Sequence, residues 1–317
     1  MELSAFDLSG KVALITGGAH GIGFSIAEGM ARCGATVCFN CSSQSSYEKG
    51  MAAYKEAGID AHGYVADVTD WEAVQAMVAQ IKQDVGPVDI LVNNAGIIQR
   101  KPMLETSTED FQKVLNVHVV GAFNCSKAVL PDMIEKRAGK IINICSMMSE
   151  LGRETVSGYA AAKGGLKMLT KNIASEFGEY NIQCNGMGPG YIATPQTAPL
   201  RERQPDGSRH PFDQFILSKT PAGRWGEAED MVGPCVFWPP TPPTSSTARS
   251  STPTAASSPT SAVSPANLLF WKKSKQKTFT VYHTVSGSPA VPRGLYALAR
   301  SRRLGLRPGT MQSTAIT

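Results

Sequence analysis

The last 87 residues of this 317-residue chain contain no aspartate or glutamate. They carry ten lysines and arginines, whereas residues 1–230 hold all 26 acids against 21 basic residues. The formal charge of +5 therefore joins a mildly acidic body to a strongly basic tail. It gives no reason to expect nucleic-acid binding by the body. Long apolar runs are missing too, so no bilayer span and no membrane role is expected. No basic-then-apolar leader precedes the first strand; MELSAFDLSGK runs straight into KVALIT. Cysteine is scarce and odd in number, seven, without scaffold-like spacing. A reduced, cytoplasmic setting is expected, with no disulfide framework and no metal site. Cys38 and Cys41 formally make a CxxC. In an extended strand they point to opposite faces, which favours plain packing over redox use.

What is present is alternation. Short apolar runs at 11–16, 36–40, 63–68, 88–92, 140–145 and 182–187 read as strands. Helical patterns fill the gaps at 24–33, 46–57, 71–85, 109–134 and 158–177, with a further short one at 227–237. Strict alternation implies right-handed βαβ units, a parallel sheet and helices on both faces. The expected fold is thus α/β: a single Rossmann-like, doubly wound parallel sheet over residues 1–237. Between Pro195 and Pro221 the periodicity fails, and a loop of that length in a compact domain is usually functional.

Tyr159 and Lys163 stand four apart in the helical stretch GYAAAKGGLKMLT. That spacing puts both on one helix face. A close ammonium favours the phenolate, so the pair suits proton exchange with an alcohol. Ser146 ends the strand KIINICS, where its hydroxyl can hold a substrate oxygen. Gly17-Gly18-Ala19-His20-Gly21-Ile22-Gly23 follows a strand and opens a helix. In that context glycines let the backbone approach a pyrophosphate seated on the helix N-terminus.

These motifs fall in one order: TGGAHGIG, Asp67, Asn93-Asn94-Ala95-Gly96, Asn116, Ser146, Tyr159-xxx-Lys163 and Pro189-Gly190. Ser146 lies thirteen residues before Tyr159. Residues 8–237 so arranged resemble the short-chain dehydrogenase/reductase family. The resemblance implies that Tyr159 is the acid/base, that Lys163 lowers its pKa and binds the nicotinamide ribose, and that Ser146 orients the substrate oxygen. It assigns Asn116 to holding a water of the proton relay. It also implies a cofactor site of Thr16, Gly17, His20, Gly21, Ile22, Gly23, Asn40, Ser42, Asp67, Val68, Asn93, Ala95, Gly96, Pro189, Gly190, Ile192 and Thr194, together with Tyr159 and Lys163.

The second strand ends in Asn40-Cys41-Ser42-Ser43. No acid is there to repel a 2′-phosphate and no arginine to clamp one, so the cofactor is NADP or NAD with a lean to NADP. Arg100, Lys101, Arg153, Arg201, Arg203, Arg209 and His210 gather near the expected substrate pocket, with Glu150, Glu154 and Gln196 as hydroxyl partners. Arginine suits bidentate carboxylate recognition, which points to a small polyhydroxy acid. The strings IIQRKPM, ICSMMSELGRETVSGYAAAKGGLKMLT and GPGYIATPQTAPLRERQPDGSRHPF resemble a sugar-acid subgroup, the gluconate 5-dehydrogenases. That resemblance implies hydride transfer at C5 of gluconate, with Arg100, Ser146, Arg153, Tyr159 and Gln196 around the substrate. Alternatives are another short-chain carbonyl reductase, such as one acting on acyl-carrier-protein substrates, and an inactive binding protein with a basic arm.

After Phe237 the text changes to WPPTPPTSSTARSSTPTAASSPTSAVSP, a composition expected to be disordered. Shifting the codon frame by one base lets this stretch spell LAADASNFVNG and then YADGGI, the ending that the family would have. A one-base frameshift near Phe237/Trp238 is therefore expected. Residues 238–317 would be an appendage, the last strand would be missing, and the family's homotetramer would be in doubt.

Overall fold

The structure, a computed structural model, describes residues 6–237 and 250–251. The frameshift reading and the expected disorder of the tail concern residues that, apart from Ser250 and Ser251, lie outside the described ones. Six strands, β1 (Val12–Thr16), β2 (Thr36–Cys41), β3 (Ala61–Val65), β4 (Ile90–Asn93), β5 (Gly139–Ile144) and β6 (Ile182–Met187), form a parallel sheet. Their order is β3-β2-β1-β4-β5-β6. Where a missing last strand is expected, Ser250–Ser251 pair in parallel with Gly186–Met187. The sheet thus gains a two-residue strand, β9, beyond β6.

Helices α1 (Gly21–Arg32), α2 (Gln44–Glu56), α3 (Trp71–Asp84), α4 (Thr108–Leu115), α5 (Gly121–Lys136) and α6 (Ser157–Phe177) connect the strands. Several begin at capping side chains: Ser43 accepts from Ser46 N, Asp70 from Ala73 N, and Ser107 from Asp110 N. Strand residues alternate between two cores. Ala13, Ile15, Phe39 and Cys41 pack on one face with Ile26, Met30 and Tyr54. Leu14, Cys38 and Leu91 pack on the other with Val74, Ile81, Cys125 and Met133. Cys38 and Cys41 therefore lie on opposite faces, and all seven cysteines are free. Burial on both sides explains why these strands read as continuous apolar runs.

Two segments differ from the reading by sequence. The 195–221 stretch is not one long loop. It folds as a 3-10 turn, Pro195–Leu200, and then α7 (Pro211–Lys219), whose short pattern is interrupted by prolines and glycine. A two-stranded ribbon of β7 (Ile192–Ala193) and β8 (Gly226–Glu227) flanks it, and α8 (Val232–Phe237) follows. The long helix expected over 109–134 is instead α4 and α5 joined by a π-helical turn at Asn116–Val120.

The strand order reverses between β1 and β4, which run side by side. A crevice forms at such a point beyond the carboxyl ends of the strands. Beside it, a buried amide ladder ties β4, β5 and two helices. Asn93 Nδ2 donates to Asn143 Oδ1 (2.8 Å) and Ser126 Oγ (3.1 Å), and Asn143 Nδ2 donates to Thr170 Oγ1 (2.8 Å). Asn143 has no solvent exposure, so truncating it strands partners away from water. Asn143→Ala should lower the unfolding free energy by about 2–4 kcal/mol in urea titrations, since two buried hydrogen bonds lose a partner.

Candidate active site

The glycine turn after β1 is shaped from below. Tyr54, buried, donates its hydroxyl proton to Gly18 O (2.8 Å), and Phe24 and Phe39 pack on its ring. A Cβ at Gly18 would stand 2.8 Å from Phe39 Cβ. Gly17 and Gly21 adopt left-handed φ values of 62° and 60°. Asn94 ties the turn to the end of β4: Nδ2 donates to Thr16 O and Gly17 O, both at 3.0 Å. His20, the N-cap of α1, makes no side-chain cap bond.

Across the crevice, Ser146 leaves β5, and its Oγ accepts from Met148 N (3.1 Å). Tyr159 and Lys163 lie one turn apart on α6. Lys163 is 3% exposed, donates to Ile144 O at 2.5 Å, and sits 5.5 Å above the Tyr159 ring centre. Burial pushes its pKa down to about 8. Tyr159 also differs from the expected lowering. Burial raises its pKa, partly opposed by a hydrogen bond from Ser146 and by the Arg100 and Arg153 charges. Desolvation of the phenolate outweighs its neighbours in this pocket.

A cleft of about 570 Å³ joins the glycine turn to these residues. Of the candidate cofactor residues it is lined by Gly17, His20, Gly21, Ile22, Asn40, Ser42, Asp67 and Val68 on one side. Ala95, Gly96, Tyr159, Lys163, Pro189, Gly190, Ile192 and Thr194 line the other. Ser146, Arg100, Arg153 and Gln196 line it as well. Four candidates do not. Thr16 lies behind it, its hydroxyl accepting from Asn94 N and Ala95 N. Gly23 packs under the turn, where a Cβ would meet Asn94 Nδ2 at 2.5 Å. Asn93 is turned into the amide ladder. Asn116 opens the π turn, its carbonyl accepting from Gly121 N. Asn40 lines the cleft, but its amide donates to Ala66 O (2.8 Å) as a latch between β2 and the chain after β3.

The basic cluster also divides. Arg201 stacks over Trp225 and donates to Thr194 O; Arg203 donates to Gly207 O. Arg209 pairs with buried Asp213, and His210 caps α7 through Nδ1. Lys101 pairs with Asp110, and Glu150 with Lys167. Arg100 and Arg153 remain facing the cleft. Arg153 donates to Tyr191 Oη (2.8 Å) and lies over the Phe212 ring. Burial and the Arg153 charge hold the Arg100 pKa below its usual value. Lys101 N donates to Thr155 O (2.9 Å), which keeps the two arginine-bearing segments together. Thr155 has a φ of 65°, strained for a β-branched residue.

Three further residues shape the cleft without standing out in the motifs. Asn94, part of Asn93-Asn94-Ala95-Gly96, ties the glycine turn to β4. Tyr191 orients Arg153, as a tyrosine beside Pro189-Gly190 could have suggested. His118 lines the cleft, 4% exposed, with its ring 5.3 Å from that of Tyr159. The buried stripe Val114, His118, Ala122, Cys125, Val129 and Met133 runs at helical spacing and passes through His118, not through Asn116.

The buried Lys163 cation should cost the fold stability. Its folded pKa of about 8 lies below the ordinary lysine value of 10.5, so this cost is full below pH 8. It fades as pH rises through the 8–10.5 window, where the unfolded chain holds the extra proton. Lys163→Met should therefore raise the melting temperature at pH 7 by roughly a few degrees, with the gain shrinking by pH 9.5; calorimetry across that range checks it.

The geometry has counterparts among known proteins. A 2-dehydro-3-deoxy-D-gluconate 5-dehydrogenase of Formosa agariphila is 52% identical over 238 residues, covering 75% of this chain and 88% of the relative. A gluconate 5-dehydrogenase of Gluconobacter oxydans is 42% identical, covering 73% and 88%. Among solved structures, a 2-keto-3-deoxy-D-gluconate dehydrogenase from Streptococcus agalactiae is 68% identical with a TM-score of 0.64, over 74% of this chain and 88% of that one. A gluconate 5-dehydrogenase from Burkholderia cenocepacia in complex with NADP and tartrate is 38% identical with a TM-score of 0.69, over 75% and 91%. Residues 11–205 match the family model described as short chain dehydrogenase. With that match over most of its length and with the glycine turn, Ser146, Tyr159 and Lys163 around one cleft, the chain belongs to the short-chain dehydrogenase family.

Proposed function

We propose that this chain is an NAD(P)-dependent oxidoreductase that interconverts the C5 hydroxyl and C5 ketone of a six-carbon sugar acid, D-gluconate or its 2-dehydro-3-deoxy relative. The observation that carries the substrate class is the pair Arg100 and Arg153. Both line the cleft near Tyr159, and neither has a carboxylate within ion-pairing distance among the described residues. Two uncompensated guanidinium groups suit a carboxylate. They argue against an acyl-carrier thioester, which has none at that place. The names of the relatives supply C5 as the reacting carbon.

The residues present fit a dinucleotide. Gly17 and Gly21, at the left-handed φ that glycine adopts freely, line the cleft, and the N-terminus of α1 opens onto it beside His20 and Ile22. Asp67, Val68, Ala95 and Gly96 would hold the adenosine half; Lys163, Gly190 and Thr194 the nicotinamide half. When bound, the cofactor supplies a hydride acceptor or donor. In the oxidation direction Tyr159, as phenolate, takes the C5-hydroxyl proton, and Ser146 donates to the same oxygen. Lys163 keeps the phenolate poised, and the arginines hold the carboxylate. Its raised pKa makes Tyr159 the limiting base, so oxidation should speed up with pH.

The end of β2 favours NADP. Ser42, Ser46 and His20 line that part of the cleft, and no acid stands there. The Burkholderia cenocepacia relative was solved with NADP. We place the catalytic domain at residues 1–237; the two curated relatives above align over 73–75% of this chain but 88% of their own length.

Arg153→Ala should raise KM for the sugar acid at least about tenfold and leave the cofactor KM within about twofold, since a lost guanidinium–carboxylate pair acts on one substrate only. An unchanged sugar-acid KM would contradict the assignment. Comparing D-gluconate with 2-dehydro-3-deoxy-D-gluconate under NADP and NAD ranks the four pairs. A strong preference for NAD would refute the lean to NADP.

A further inference from the structure

Arg153 carries a charge that is hard to keep in place. Its side chain has many rotamers, and the like charge of Arg100 pushes on it. Yet its guanidinium is held from two sides. NH1 donates to Tyr191 Oη (2.8 Å), and the group lies 5.0 Å over the Phe212 ring centre. Tyr191 stands just before β7, and Phe212 follows Pro211 at the start of α7. The hold on Arg153 therefore depends on how α7 meets the β7–β8 ribbon. Trp225, just before β8 and 7% exposed, makes that join. Its Nε1 donates to Asp213 Oδ1 (2.8 Å), and Asp213, on α7, is 4% exposed. The indole also meets Tyr191 edge-on at 5.8 Å, and Tyr191 meets Phe212 edge-on at 5.8 Å. Burial opposes the charge of Asp213, but hydrogen bonds from Trp225 and Arg209 and the Arg201 charge hold its pKa below the usual carboxylate value. The Trp225–Asp213 bond is thus charge-assisted and shut away from water. Phe212, Asp213 and Trp225 do not line the cleft, so their effect on a ligand passes through Tyr191 and Arg153, which do.

We propose that Trp225 and Asp213 are positioning residues for carboxylate recognition: the bond between them fixes Phe212 and Tyr191, and these aim the Arg153 guanidinium into the cleft. The inference rests on the oxidoreductase reading above for the identity of the anion. A guanidinium already fixed loses little freedom when a carboxylate arrives, so the benefit is read as tighter binding of the sugar acid. The cofactor half of the cleft, built on the glycine turn and α6, shares no residue with this latch and gains nothing from it. The coupling is reciprocal. An anion that draws on the aimed Arg153 also steadies the Trp225–Asp213 bond.

Two measurements test this. Calorimetry of D-gluconate binding in the presence of NADPH, a pair that cannot react, compares wild type, Trp225→Phe, Arg153→Ala and the double variant. Trp225→Phe keeps an aromatic ring and loses the N–H. It should weaken D-gluconate binding at least about fivefold and leave the NADPH Kd within about twofold. On the Arg153→Ala background the same change should cost less than about twofold, because it acts through Arg153. An unchanged D-gluconate Kd in Trp225→Phe, or an equal loss with and without Arg153, overturns the proposal, as does a wild type that binds no D-gluconate. In wild-type protein labelled at tryptophan, saturating D-gluconate should slow hydrogen exchange of the Trp225 indole N–H at least about threefold. An unchanged rate overturns the proposal, and this rate decides should Trp225→Phe fail to fold. A wild type that binds D-gluconate but turns over neither sugar acid refutes the oxidoreductase reading, while the binding cycle still tests the latch.

Discussion

A lysine ammonium held out of water is the constraint around which the site is built. Lys163 is buried among α6, the end of β5 and the π turn, with Ile144 O as its hydrogen-bond partner. Desolvation works against its charge, and the sheet must supply the rigidity to keep it there. The ladder of Asn93, Asn143 and Thr170 does this by locking β4, β5 and α6 together. Tyr159 above it and His118 beside it are placed by the same frame. The stability lost at Lys163 is the counterpart of a phenol that can be ionised in a mostly apolar cleft.

We propose that substrate selection rests on a different device. The Arg100 and Arg153 segments repel each other, and the Lys101–Thr155 backbone bond with its strained threonine holds them in register. Tyr191 and Phe212 then fix the Arg153 guanidinium from below. A carboxylate entering this space would relieve the repulsion. Catalysis and recognition thus share one cleft but rest on separate elements.

Much of this was legible in the residues. The apolar runs KVALIT and VDILV could only be buried parallel strands, and the glycine turn, Ser146, Tyr159 and Lys163 announced themselves by type and spacing. What was not legible followed from packing. The π turn shifts the helix face by a fraction of a turn, so His118 lines the cleft while Asn116 does not. The sign of the Tyr159 shift depends on burial, which the four-residue spacing to Lys163 does not reveal. Four basic residues of the 195–221 stretch looked like ligand contacts; each instead fastens α7 or its flanking turns. Helix α7 itself was hidden by the prolines and glycine around it.

The central claim is that Tyr159 moves a proton while a hydride moves between a sugar acid and a nicotinamide. The most direct measurement follows reduced-cofactor absorbance with NADP or NAD and each of the two sugar acids, for the wild-type chain and Tyr159→Phe. Steady formation of reduced cofactor by the wild type, with loss of at least about a hundredfold in kcat in Tyr159→Phe, is the predicted result. Equal rates for the two proteins, or no turnover of either acid by the wild type, would contradict it.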